Sequence, residues 1–215
     1  GGLIIKNAKK KSLFVNVKFS YLTGLKDYPL NLNDLKYSFT KTTYDNSKTN
    51  TYKVTTNNKI DKAIIENQKY RIYGAINFFN SDVKMSNVIF EKINSEDALN
   101  IINSKFNLKN ITFSENGSDA LDVDFSVGKI TNASFKNIAN DAVDFSGSIV
   151  DLNNLKMNVI GDKMVSVGEN SVLTIANLVG NKSKIAIASK DGSLTTLNDV
   201  IINNTEIGIA AYQKK

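Results

Sequence analysis

The sequence predicts an all-β chain wound as a parallel β-helix, and three observations carry that reading. The first is a period. Asp119-Ala120-Leu121-Asp122-Val123-Asp124-Phe125-Ser126 returns 22 residues later as Asp141-Ala142-Val143-Asp144-Phe145-Ser146, and 22 residues earlier stands Asp97-Ala98-Leu99-Asn100-Ile101-Ile102. A fixed spacing of this length marks a solenoid of stacked coils. The second is alternation within each copy. One apolar ladder runs Ile76, Leu99, Leu121, Val143, Val165, Ile187, Ile209, and a second runs two residues on through Phe78, Ile101, Val123, Phe145, Val167, Ser189 and Ala211. Strand side chains alternate faces, so the residues between these point outward. The third is a polar ladder. Asn87, Asn110, Asn132, Asn154, Asn177 and Asp199 precede an apolar strand at one phase of the repeat. Asn tolerates left-handed turn geometry, and stacked amides hydrogen-bond from coil to coil.

Along the chain, residues 1–24 hold Leu3-Ile4-Ile5, a Lys9-Lys10-Lys11 run and the alternating Leu13-Phe14-Val15-Asn16-Val17-Lys18-Phe19. The last matches Asn87-Val88-x-Phe90 and Asn110-Ile111-x-Phe113, which places it in an early coil. Residues 25–70 break the pattern and contain Pro29, the single proline. Their Thr-, Asn-, Lys- and Tyr-rich stretch at 40–58 predicts a polar excursion, with a hairpin around 45–50 and one or two helical turns at 60–67. From Tyr73 the repeat is nearly unbroken. Each copy adds a second apolar strand (Val83 and Met85, Phe106 and Leu108, Val150 and Leu152, Leu194 and Leu197) and a third (Val88 and Phe90, Ile111 and Phe113, Ala133 and Phe135, Leu155 and Met157, Val200 and Ile202). Three strands per coil make a three-sided helix of about seven or eight coils, each about 4.8 Å from the next, around one apolar column. The whole chain reads as one domain.

Composition narrows the chemistry. The 215 residues contain no cysteine, no histidine and a lone arginine, Arg71. Disulfides, thiolate metal sites and histidine triads are excluded. No run of 18 apolar residues marks a membrane span. The chain opens Gly-Gly and reads as a piece of a longer protein. Its net charge of +6 is uneven: residues 1–73 hold 14 Lys/Arg against 5 Asp/Glu, residues 74–215 hold 13 against 16. The lysines are scattered through polar sequence rather than aligned with aromatics. That reads as a solvated basic surface, with a nucleic-acid or other polyanion footprint as the alternative.

The ordered series of copies carries a resemblance. It runs Tyr73-Gly74-Ala75-Ile76-Asn77-Phe78, Glu96-Asp97-Ala98-Leu99-Asn100-Ile101, Asn140-Asp141-Ala142-Val143-Asp144-Phe145-Ser146-Gly147-Ser148, Gly161-Asp162-Lys163-Met164-Val165-Ser166-Val167-Gly168-Glu169-Asn170-Ser171, Ser189-Lys190-Asp191-Gly192-Ser193 and Ala211-Tyr212-Gln213-Lys214-Lys215. Over residues 73–215, and more loosely 1–24, this resembles the right-handed parallel β-helix region of long bacterial proteins, some of which carry a CotH-like (spore coat kinase-like) domain. The resemblance implies a right-handed, pectate-lyase-like solenoid inside a larger protein with further domains, secreted, periplasmic or on the cell surface. No kinase motif is visible, so kinase activity does not carry over. Pectate lyases, polygalacturonases, alginate epimerases and phage tailspikes share the fold class alone.

The candidate site is the outward side of the first strand. One outward row runs Asn77, Asn100, Asp122, Asp144, Ser166, Ala188, Ala210; the next runs Phe79, Ile102, Asp124, Ser146, Gly168, Lys190, Tyr212. Asp122 and Asp144 then stand roughly 5 Å apart on neighbouring coils, and Asp122 and Asp124 about 6.5 Å apart along one strand. Asp97, Asp119, Asp141 and Lys163 occupy the position before the strand. Like charges this close resist joint ionisation, so Lys163, a bound cation or a shared proton must offset them. Three readings follow. The acids form a solvated ladder that keeps register. Or Asp122, Asp124 and Asp144 hold a hard cation such as Ca²⁺ through oxygen ligands, with no cofactor otherwise required. Or they are catalytic with Lys163: a carboxylate pair near 5 Å suits retaining glycoside hydrolysis, and a lyase or epimerase would use a cation with Lys163 or Lys190 as base. Phe79, Tyr70, Tyr73 and Tyr212 are candidates to stack on sugar rings.

The expectation drawn from all this is a rigid module that presents Asn77, Asn100, Asp122, Asp144, Ser166, Lys190 and Tyr212 to a polysaccharide or other glycan. A carbohydrate-active enzyme built on the Asp cluster is the first alternative and a pure assembly scaffold the second.

Overall fold

A computed structural model describes residues 1–24 and 74–214, together with four short strands between them. The described residues contain strands and no helix. Thirteen strands join in one continuous parallel sheet that coils on itself. This is the parallel β-helix that the period predicts, with the right-handed sense that parallel crossovers take.

The first side stacks β1 (Leu3–Lys6), β7 (Ile76–Phe79), β9 (Asp97–Ile102), β11 (Asp119–Asp124), β13 (Val143–Ser146) and β15 (Lys163–Gly168), continued by β16 (Val172–Lys190) and β17 (Leu194–Tyr212). The other two sides are formed by β2 (Ser12–Ser20), β8 (Val83–Glu91), β10 (Lys105–Asn116), β12 (Val127–Ile138) and β14 (Ile149–Ile160), again continued by β16 and β17. The apolar ladder is in register rung by rung: Leu3 with Ile76, Ile76 with Leu99, Leu99 with Leu121, Leu121 with Val143, Val143 with Val165, Val165 with Ile187, Ile187 with Ile209. Leu121 and Val143 are fully buried neighbours. Residues 1–24 form the first coil, as Val17 pairs with Val88 and Phe19 with Phe90.

Each coil turns at three corners, and each corner is a residue with left-handed backbone. Asn16, Asn87, Asn110, Asn132, Asn154, Asn177 and Asp199 make one, with φ between 50° and 58°. Tyr21, Lys92, Glu115, Asn137, Val159, Lys182 and Asn204 make the next; Asn7, Asn80, Asn103, Phe125, Gly147 and Asp191 lie on the third. Asn supplies most of these positions because its short amide tolerates φ above zero. At the first corner the amides also bond along the stack. Asn87 Nδ2 donates to Asn16 Oδ1 at 2.9 Å, Asn110 to Asn87 at 2.8 Å, Asn132 to Asn110 at 3.1 Å and Asn154 to Asn132 at 2.7 Å. Asn177 departs from the row and donates to Asn153 at 3.2 Å.

The column inside is apolar. Phe19, Phe90, Phe113 and Phe135 stack with centroids 5.3, 4.7 and 5.1 Å apart. Rung spacing dictates this, since a ring on every coil at one phase falls into offset stacking distance. A second ladder was not read from the sequence. Ser104, Ser126, Ser148, Ser171 and Ser193 each offer Oγ to the backbone N–H of the serine one coil before, at 2.8 to 3.1 Å, starting from Ser81. These hydroxyls satisfy backbone donors that the third corner would otherwise bury unpaired.

One detail revises the expected register. Leu194 is not an inward partner of Leu197. It pairs with Val172, outside the column, and is 47% exposed, while Thr195 takes the inward rung above Leu173. A one-residue offset moves a strand residue to the other face. In the excursion, β4 (Ser38–Thr42) pairs antiparallel with β5 (Thr51–Thr55), giving the hairpin expected around 45–50, and β3 (Tyr28–Pro29) pairs with β6 (Arg71–Ile72). The helical turns expected at 60–67 lie outside the described residues, as do Tyr70 and Tyr73.

Candidate functional site

Strand alternation places the predicted residues where the register requires. Asp122 pairs with Asn100 on one side and Asp144 on the other; Asp144 pairs with Ser166, and Asp124 with Ser146. Asp122, Asp124 and Asp144 therefore share one outward face. Asp97 and Asp119 are paired at the strand start.

Burial along this face differs from a uniformly open ladder. Asn77 is 1% exposed, Asn100 5% and Lys190 8%, and Ser166 is fully buried. Asp122, Asp124, Asp144 and Ser146 are only half-buried. The row is thus closed at both ends and accessible across its acidic middle. Local contacts account for part of this. Asn77 turns its Nδ2 onto the carbonyls of Leu3 and Gly74, at 3.2 and 2.7 Å. Gly74 lies so close that a Cβ there would stand 2.6 Å from Asn77 Oδ1 and 2.9 Å from Asn100 Cβ. Lys190 folds back past Gly168 and donates to Ser166 Oγ at 2.7 Å. Phe79 does not offer its ring to a sugar: it is fully buried with Ile102, against Ile4, because three apolar residues meet on that outward row. Tyr212, on the last rung, is 41% exposed.

The carboxylates differ in their partners. Asp119 accepts from Asn140 Nδ2 at 2.6 Å and from the Asp141 backbone N–H at 2.9 Å. Asp141 accepts the Lys163 backbone N–H at 2.9 Å and its ammonium at 3.3 Å. The same ammonium is held by Asp162. Lys163 occupies the ladder position after Asp141, as expected, and its contacts go to Asp141 and Asp162 rather than to the Asp122, Asp124 and Asp144 face. Asn100 Nδ2 reaches Asp97 at 3.2 Å and Asp122 at 3.4 Å. On this face, three buried oxygens of the described residues have no donor: Asn77 Oδ1, Asn100 Oδ1 and Asp144 Oδ1.

Electrostatics follow from this geometry. Burial pushes Asp122 and Asp97 well above the usual carboxylate range, and neighbouring acids add to it: Asp124, Asp97 and Asp144 for the first, Asp119 and Glu96 for the second. Asp124 is raised to about 7 by burial and by Asp144 and Glu169, and Asp119 to about 6 by burial, with Asp141 adding to it. Asp141 is raised by burial in spite of Lys163. Burial would pull the Lys163 ammonium down, but the Asp162 and Asp141 carboxylates outweigh it and hold it above its ordinary range. A cluster that binds protons this readily is a cluster short of positive charge.

Among the described residues no three acidic side chains converge as a metal-binding group. The acids form a row, not a cage. No helix of the described residues is long and apolar enough to cross a membrane. Compared with known proteins, the chain matches no family model, and no curated protein is significantly similar to it.

Proposed function

We propose that the chain is a rigid β-helical module of an exported or envelope-associated bacterial protein, and that its acidic face binds a glycan. One observation carries this reading: Asp122 and Asp144 stand in register on consecutive coils, with Asp124 beside Asp122 on the same outward face, and all three are only half-buried. Glycan hydroxyls are donors that repeat along a chain, and one sugar unit is about as long as one coil step of about 4.8 Å. The half-buried middle, with Asp122, Asp124 and Asp144, is where such a chain would lie. A glycan array probed with the 215-residue protein tests this, and absence of binding to any glycan rules it out.

A second reading is supported by the carboxyls themselves. Asp122 and Asp144 face each other on adjacent strands, and burial holds Asp122 well above the usual carboxylate range. A carboxylate pair at roughly 5 Å with one raised acid suits retaining glycoside hydrolysis, one member as acid and the other as nucleophile. Reducing-sugar and unsaturated-product assays on the same glycan panel separate binder from enzyme. Calcium at Asp122, Asp124 and Asp144 would require the row to draw together around one ion; melting with and without Ca²⁺ reports it.

A further inference from the structure

We infer that a second side of the helix, basic where the first is acidic, docks on an anionic lipid surface. The inference stands apart from the glycan reading, because the two use different sides of the coil. The lysines that look scattered along the sequence converge once the strands are in register. On the side that ends at the asparagine corner, Asn107 pairs with Lys84 in the coil before and with Lys129 in the coil after. Along its own strand, Lys105 and Lys109 lie two residues to either side. Strand alternation turns all five outward, and burial agrees: four exposed lysines surround a half-buried Asn107. Rungs are about 4.8 Å apart and alternate strand residues about 6.5 Å, so the four ammonium groups can reach one phosphate above Asn107. Among the described residues Lys84, Lys109 and Lys129 enter no ion pair. The acids on this side stand at the margin. Asp82 accepts the Lys105 backbone N–H at 3.0 Å, and Asp151 follows Lys129 one coil on.

Charge alone fits any polyanion. The choice of a lipid rests on the coil before the lysines. Leu13 pairs with Lys84 and Val15 with Ser86, so both lie on the same outward rows. Leu13 is 64% exposed and Val15 47%. Two aliphatic side chains standing in solvent beside a ring of lysines suit a partner with an apolar phase beneath an anionic surface. Nucleic acids and sulfated glycans offer no such phase. Nor do these rows, from Leu13 to Thr131, carry an aromatic on which a base could stack. Lys9, Lys10 and Lys11 are exposed just before this strand and bring positive charge to the aliphatic end. Lysine stems lie along apolar surface while their ammonium groups stay at headgroup level. Beyond Asp151 the same rows hold Thr174, Ala176, Thr196 and Asn198, with no further charge. The contact is therefore confined to the first four coils.

The test is co-sedimentation of the 215-residue protein with vesicles at neutral pH and physiological salt. One set holds equal parts of phosphatidylcholine and phosphatidylglycerol, the other phosphatidylcholine alone. Each lysine near an anionic surface contributes about fivefold, so the protein should prefer the anionic vesicles by at least about a hundredfold. The triple variant Lys84→Gln, Lys109→Gln, Lys129→Gln should remove most of that preference. A second triple, Lys136→Gln, Lys156→Gln, Lys182→Gln, makes the same charge change at exposed positions away from this side and should leave most of it. Leu13→Ser should weaken binding about fivefold at unchanged charge; Val15→Thr takes its place if that variant fails to fold by circular dichroism. Equal partition onto both vesicle types, or onto neither, would overturn the inference. Equal losses in the two lysine triples would do the same, because the attraction would then come from the net charge of +6 and not from this side. Unchanged binding by Leu13→Ser, or dextran sulfate bound as tightly as the vesicles, would reject the lipid in favour of a general polyanion.

Discussion

Two polar stacks climb this solenoid, and they behave in opposite ways. At one corner, Asn87 to Asn154 repeat coil after coil and each amide bonds the one before it. On the first side, Asp122 and Asp144 repeat in the same manner and gain nothing from each other. The geometry of stacking is identical. The chemistry differs because an amide carries both donor and acceptor, so a pile of amides satisfies itself. An ionised carboxylate carries acceptors only, so a pile of carboxylates is frustrated until some of them take up protons or a cation. Repetition alone therefore says little about role. A self-complementary side chain repeated in register is a structural tie, and a self-repelling one is an open valence.

The largest effect expected removes the frame beneath both stacks. Leu121→Asp buries an unpaired charge in the column and should destabilise by roughly 3–5 kcal/mol or unfold the middle coils. Denaturant melts should show it, and parent-like melting would reject the inward assignment.

Next comes pH, which acts on the acidic stack alone. Asp97, Asp119, Asp122, Asp124 and Asp141 all have folded-state values raised above the ordinary range, with Asp144, Glu96 and Glu169 adding repulsion and Lys163 opposing it only at Asp141. The folded state thus holds more protons than the unfolded chain in this window. Stability from this cluster is full below the unfolded value near 3.8 and is lost as pH rises through about 6 and about 7, the folded values of Asp119 and Asp124. The melting temperature should rise as pH falls from neutral toward 5, the reverse of ordinary acid weakening. A flat or opposite profile would mean that the acids are offset by a partner within the fold.

Asn132→Asp gives the amide stack a member of the carboxylate kind. It keeps a residue that tolerates the φ of 57° but loses the donor to Asn110. The cost should be about 1 kcal/mol, read from the shift in denaturation midpoint. The converse exchange, Asp144→Asn, brings an amide into the acidic stack and relieves its pairing with Asp122. It should stabilise the fold by about 0.5 kcal/mol while weakening ligand binding. If Asp144→Asn destabilises instead, the two stacks do not differ as described. Running both melts with and without Ca²⁺ shows whether the parent alone responds to the ion.

The period made most of the fold legible. The 22-residue spacing set which residues stack, and Leu121 over Val143 or Asp122 over Asp144 followed directly. The serine ladder was equally legible by spacing, at Ser81, Ser104, Ser126, Ser148, Ser171 and Ser193, but serine after a strand reads as loop chemistry unless its period is sought. The site was legible only in register. Nothing in a repeat tells that Lys190 folds back onto Ser166, or that Asn77 is sealed beside Gly74. Those depend on what crosses the row, and a periodic pattern describes only what lies within it. Leu194 shows the remaining limit: in the last coil an apolar residue one place off phase looks like a core residue.

The two satisfied ladders also have direction. In the asparagine stack the later coil donates to the earlier; in the serine stack the later coil accepts from the earlier backbone. During translation the newest coil to leave the ribosome is therefore always half-finished. Its amide finds a waiting acceptor behind it, while its own serine N–H waits for a hydroxyl not yet synthesised. Folding of the nascent chain should advance as a front that trails synthesis by one coil. The first coil is the exception, because Leu3 takes its partner from Ile76. That front cannot start until the whole excursion has been made, so the slow step of this otherwise local fold sits at its beginning.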